Sequence, residues 1–206
     1  NKHDPYLKKY VYSLVLENKV LQAINLIKNN EGKKNSNFFD AHLLLILDNL
    51  KKNNLDKAKI LLEKSLNLYK NDRLNSVILE SLEQFVHVFK EKKILNDKKN
   101  FGNFSIISET FQRCYLGHPN TDSYFTKLYN NPGTDYSRYI FFHLSYLIEN
   151  NRLDDAKKIV NNIDYIDIPL LLSQGKSWIE NKSAEKLIKV FSCKNYNDVL
   201  GEFFFL

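Results

Sequence analysis

Apolar residues recur at intervals of three and four along most of the chain, the spacing that lines one face of an α-helix. Asp4-Pro5 is a helix start, with Asp at the N-cap and Pro in the first turn, and Leu7, Tyr10, Val11 and Leu14 follow on one face. The pattern breaks near Asn18 and resumes with Val20, Ala23, Ile24 and Ile27. A polar loop from Asn29 to Asn37 contains Gly32 and separates this pair from a second. The second pair opens near Asp40 with the run Leu43-Leu44-Leu45-Ile46-Leu47, apolar all round and so expected to be buried on several sides. After Asn53-Asn54 its partner carries Ala58, Leu61, Leu62, Ser65 and Leu66. Asp72 then caps a longer helix through roughly Leu95, with Val77, Leu79, Leu82, Phe85, Val86 and Phe89 on its apolar side.

Beyond that point the pattern is less regular. Asn96 to Asn103 is rich in Lys and Asn, holds Gly102 and reads as a break. A helix is expected from about Ser105 to Leu116, stopped by Gly117 and Pro119. A short aromatic helix from Tyr124 to Tyr129 is capped by Asp122, and Pro132-Gly133 is a turn. Asp135 opens a further pair, with Tyr139, Ile140, Phe142, His143, Leu144 and Leu147 and then Ala156, Ile159, Val160 and Ile163. Pro169 to Trp178 and Ala184 to Phe191 form another, and Asn197 caps a last helix. The only β-like stretch is Phe101–Ile107, and it is short. The reading is all-α with about a dozen helices, in three segments: residues 1–95, an irregular helical connector at 96–134, and 135–206.

Three stretches repeat one short pattern: Asn18–Asn30, Asn53–Leu66 and Asn151–Ile163. Each places an aliphatic residue three positions before an alanine: Val20 before Ala23, Leu55 before Ala58, Leu153 before Ala156. Two helices crossing at the usual axis separation of about 8–10 Å need a small residue at the contact, which accounts for the alanines. Ala58 follows Ala23 by 35 residues, and Ala156 follows Ala58 by 98, close to three such steps. These residues resemble the tetratricopeptide repeat. Leu200-Gly201 is similar to the Leu-Gly pair in the first helix of that motif. The pattern departs from the family where Val11, Ile46 and Leu144 replace the usual small first-helix residue, where Lys186 replaces the second-helix Ala, and in the missing terminal Pro. The order and spacing are also similar to divergent repeat proteins of α-proteobacteria.

The resemblance implies an α-α superhelix of stacked antiparallel helix pairs, and a scaffold or adaptor without catalysis, cofactor or metal. First helices line the concave side of such superhelices. By that register Lys8 and Tyr12, Leu43 and Leu47, and Phe141, Ser145 and Ile148 point inward, with Arg138 at the rim. The implied site is an aromatic and aliphatic groove for an apolar helix or an extended peptide. Capture of a partner's C-terminal carboxylate is not implied, because Tyr12 stands near Lys8 where the family's clamp has Asn.

Composition changes this picture little. The chain has 206 residues, 43% of them hydrophobic, enough to bury a core. It contains no Met and stops in the apolar run Phe203–Leu206, which reads as a piece of a longer protein with a sticky end. The formal charge of +6 invites an RNA-binding alternative, a helical-repeat protein with a Lys-rich surface. Arginine, the better residue for phosphate and base recognition, occurs only at Arg73, Arg113, Arg138 and Arg152, while Asn, Ile, Tyr and Phe crowd the chain as AT-rich codons would have it. That alternative predicts a continuous Lys stripe and salt-sensitive binding.

Chemistry-bearing patterns are sparse. Cys114 and Cys193 form no metal-type spacing and read as two buried free thiols. His3, His42, His87, His118 and His143 never pair at metal-binding intervals. No nucleophile elbow appears. Gly175-Lys176-Ser177 ends like a phosphate loop, but Leu170 stands where the motif needs its first Gly, and the flanks read helical, leading to a buried Trp178. Asn103-Phe104-Ser105 and Asn181-Lys182-Ser183 match the glycosylation pattern, as chance allows in an Asn-rich chain. No segment is apolar for long enough to span a membrane as a helix.

Overall fold

The computed structural model describes residues 4–130, 138–162, 169–195 and 199–201. Three quarters of these are helical and none lies in a strand. The helices are α1 (Asp4–Leu16), α2 (Val20–Asn29), a short 3-10 turn (Lys34–Ser36), α3 (Phe39–Lys51), α4 (Leu55–Tyr69), α5 (Arg73–Glu91), α6 (Asn103–Leu116), α7 (Thr121–Tyr129), α8 (Tyr139–Glu149), α9 (Leu153–Asn161), α10 (Pro169–Glu180) and α11 (Glu185–Val190). They fall into two compact units. The first holds residues 1–91 and 97–99, the second 92–96 and 100–206.

The three repeated turns share one conformation. Asn18, Asn53 and Asn151 adopt φ of 59°, 58° and 59°, the left-handed region that Asn tolerates better than most residues. At each, the next residue's N–H reaches back to a carbonyl five positions earlier, Lys19 to Leu14 at 2.7 Å, Asn54 to Asn49 at 2.8 Å and Arg152 to Leu147 at 2.8 Å. This is the Schellman closure of a helix C-terminus. The same residue then starts the next helix: the carbonyls of Lys19, Asn54 and Arg152 accept from the N–H of Ala23, Ala58 and Ala156. One left-handed residue thus ends one helix and aims the next, and the alanine lands in its first turn. All three alanines are fully buried. Gly117 closes α6 in the same way at φ 62°.

In the first unit each helix packs on the next from α1 to α5. Leu7, Val11 and Leu14 of α1 meet Ala23, Ile24 and Ile27 of α2 and Ala41 and Leu45 of α3. Asp48 is buried on α3, yet Lys28 of α2 (2.8 Å) and Lys52 (2.7 Å) bind it. Burial opposes its ionisation, but the two lysines win and hold its pKa below the ordinary value. Asp72 caps α5 as expected, accepting from the N–H of Asn75 at 3.1 Å. That helix stops at Glu91 rather than Leu95, because Lys92 turns left-handed at φ 54°.

The second unit runs from α6 to α11, again with each helix on its successor, and α11 also returns onto α8. Its core is aromatic: Phe111 meets Phe142, Tyr139 and Phe125 edge-on, at ring separations of 4.9, 5.5 and 6.3 Å. Here the structure meets some expectations and corrects others. Phe101–Ile107, the one β-like stretch, forms no strand, in line with the all-α reading, and α6 begins at Asn103. The connector stretch, 96–134, carries α6 and α7 close to the two helices expected in it, and all but 97–99 of it falls in the second unit. Asp122 lies inside α7, after Asn120 at the N-cap. Cys114 and Cys193 are not free thiols but a disulfide. Gly175 is buried within α10, where an added Cβ would meet the Phe141 ring at 3.3 Å, so it serves close packing rather than phosphate. Trp178 is only half-buried; Ile179 fills the core there. The turn at Pro132-Gly133, Asp135, the cap at Asn197 and the Phe203–Leu206 end lie outside the described residues.

Candidate functional site

The groove residues divide sharply. In the first unit, Tyr12 of α1 is 38% exposed and donates its hydroxyl to Asp40 Oδ2 of α3 at 2.6 Å. Burial and that hydrogen bond to a carboxylate raise the Tyr12 pKa above its ordinary value. Lys8 Nζ lies 3.8 Å from the same carboxylate and over the Tyr12 and Phe38 rings, at 5.4 and 5.9 Å. Leu43 and Leu47, one helical turn apart on α3, are half-buried. The α1–α3 face therefore offers two leucines and an aromatic ring beside an ion pair that neutralises itself. Asp40 was missed as a member of this site: its position at a helix start explained it locally, and only the packing of α3 brings it to Tyr12.

In the second unit the same register fails. Phe141 and Ser145 are completely buried. The Phe141 ring stacks on Phe191 at 5.4 Å, and α10 presses Gly175 against it. The cause is α11, which packs on α8 and covers the side expected to face a partner. Arg138 is half-buried, with its guanidinium 5.9 Å from the Phe142 and Phe191 rings. Ile148 is half-buried. Phe141 and Ser145 thus belong to the core, and a partner cannot touch them in this packing.

Two histidine clusters invite a chemical reading. His42 is buried, with Nε2 2.7 Å from Asn37 Oδ1 and Nδ1 3.2 Å from Ser65 Oγ. The order Ser–His–Asn resembles a hydrolase set, but Ser65 is fully buried and its hydroxyl donates to the Leu61 carbonyl at 2.7 Å. No substrate could reach it, and the cluster ties α3 to α4. The adjacent cavity, about 250 Å³ between Ile27, Leu45, Leu61 and Lys64, is smaller than the ~300–1,000 Å³ usual for ligand sites. In the second unit His143 Nε2 meets Asp122 Oδ1 at 2.9 Å, Tyr129 faces Nδ1 at 3.3 Å, and Arg152 binds the other Asp122 oxygen at 2.5 Å. Phe125 stacks on the imidazole at 5.1 Å. This chain of contacts joins α7, α8 and α9 and encloses the imidazole.

Lysines pair with carboxylates along the whole chain, among them Lys19 with Glu17, Lys59 with Glu63, Lys90 with Asp56, Lys158 with Asp155 and Lys194 with Glu149. Among the described residues no group of three or more His, Cys, Asp or Glu is placed to hold a metal ion, and no helix is long and apolar enough to cross a membrane. No family model matches the chain, no curated protein matches it, and no solved structure matches it. The resemblance to the tetratricopeptide repeat rests on the sequence pattern alone, the turn-and-alanine spacing and the Leu200-Gly201 pair.

Proposed function

We propose that this chain is a non-enzymatic helical-repeat scaffold of the tetratricopeptide kind, an α-α superhelix that holds a protein or peptide partner on the α1–α3 face of its first unit. The observation that carries the reading is the exposure of that face: Tyr12, Leu43 and Leu47 keep apolar surface open beside a Lys8–Asp40 pair whose charges cancel. A neutral, partly apolar strip suits the apolar side of a helix or an extended segment. The dispersed Lys–carboxylate pairs favour it over the RNA-binding alternative, since a polyanion needs uncompensated positive charge in one stripe.

The test is capture from the protein's own cells with the full-length protein, washed at low and high salt, with and without nuclease. A protein partner held through high salt and nuclease, and lost from the Leu47→Arg variant of unchanged helicity, is the expected result. Recovery of RNA that washes away at high salt would overturn it in favour of a basic-surface protein. Retention of the same partner by the variant would remove the α1–α3 face from the account.

A further inference from the structure

We infer that this chain completes its fold in an oxidising compartment, and that the Cys114–Cys193 disulfide is the clasp that makes its second unit depend on that compartment. The two cysteines are the only ones in the sequence, and both are consumed in the bond. Their Cα atoms are 5.7 Å apart, inside the window a disulfide requires without backbone movement. Both are buried, so neither is placed as an accessible thiol for catalysis or metal binding.

The surroundings of Cys193 seat it for this bond. On one side Phe191 lies against the rings of Phe141 and Phe142, at 5.4 and 5.2 Å. On the other, Lys194 reaches Glu149 of α8 at 3.6 Å, and the hydroxyl of Ser192 donates to the same carboxylate at 2.8 Å. These contacts fix the residues flanking Cys193 on α8 and leave its sulfur facing the last turn of α6. The preceding helix, α11, has six residues, too few to be stable without tertiary anchorage. The bond spans 79 residues of sequence and so encloses α7 to α11. Closing a loop of that length restricts the unfolded chain strongly. Such bonds persist outside reducing compartments and are rare inside them.

The chemistry balances as an ordinary dithiol oxidation. The two thiols give up two protons and two electrons and form one S–S bond. The electrons pass to a disulfide oxidant, a thiol–disulfide oxidase or glutathione disulfide, which leaves as a pair of thiols. The inference does not rest on the α1–α3 reading.

Two measurements test it. Cells making the full-length protein are quenched in acid, treated with N-ethylmaleimide and digested without reduction; mass spectrometry should find the Cys114 peptide joined to the Cys193 peptide as the main form. Both cysteines carrying the alkyl label in most molecules would overturn the inference. With the purified oxidised chain, dithiothreitol should lower the melting temperature of the second unit by roughly 10 °C. The double variant Cys114→Ala/Cys193→Ala should melt at the lower temperature with or without reductant. An unchanged wild-type melt under reductant would also overturn it.

Discussion

Asparagine at a left-handed turn and alanine five residues later act as one device. Asn53 must hold φ 58°, and a β-branched side chain pays about 1–2 kcal/mol to do so. Asn53→Val should therefore destabilise the first unit by that amount in urea unfolding, while Asn53→Gly should change it little. Equal losses from the two would show that the side chain, and not the backbone, matters there. Ala58 is fully buried in the first turn of α4, a helix that packs on both α3 and α5. Ala58→Leu, and Ala156→Leu in the second unit, should overpack their contacts and cost about 1–3 kcal/mol each. Unchanged unfolding would mean the helices can part without loss. This level of the structure was legible in the sequence because it is local: turn geometry, cap and alanine all fall within six residues of one another. The Cys114–Cys193 pairing was not legible, since nothing near either cysteine reports on a residue 79 positions away.

Between elements, His143 gives the second unit a pH dependence whose sign follows from its burial. Desolvation lowers its pKa below the ordinary 6.5, against the pull of Asp122. The unfolded chain then takes up a proton that the folded one refuses. The stability this provides is complete above pH 6.5 and is lost as pH falls toward the lowered folded value. Asp122 behaves in the same sense but lower on the scale. Burial opposes its charge, yet Arg152 and His143 hold its pKa below 3.8, so its share disappears only in stronger acid. Chemical denaturation should show the chain less stable at pH 5 than at pH 7, and His143→Gln should flatten that slope. It should not remove it, because burial and Lys64 lower the His42 pKa in the first unit as well. A wild-type slope retained in full by the variant would place the titration elsewhere. The same clusters show why side-chain roles were harder to read than helices. His42 lies on α3 and His143 on α8, both in expected helices, but their partners Ser65, Asp122 and Arg152 come from other elements.

At the scale of the molecule, the two units start from the same helical pattern and use it differently. The register that turns first-helix residues toward a partner assumes that every pair stacks on the last in one way. In the first unit Lys8, Tyr12, Leu43 and Leu47 remain accessible, at least in part. In the second, α11 folds back on α8 and encloses Phe141 and Ser145, an arrangement that periodicity cannot report because each helix alone keeps its apolar stripe. Partner binding should therefore be asymmetric. Leu43→Asp or Leu47→Arg, on half-buried positions, should abolish capture with the circular dichroism spectrum preserved. Ile148→Asp on α8, equally half-buried, should leave capture intact, because the surface it was expected to continue is closed by the chain's own residues. Dissociation constants for the isolated partner, measured by calorimetry against each of the three variants, decide the matter. Loss of binding in Ile148→Asp with its fold intact would mean that α8 presents a second contact surface despite the enclosure of Phe141. Loss in none of the three would leave the α1–α3 strip as ordinary exposed apolar surface, of the kind every folded chain carries.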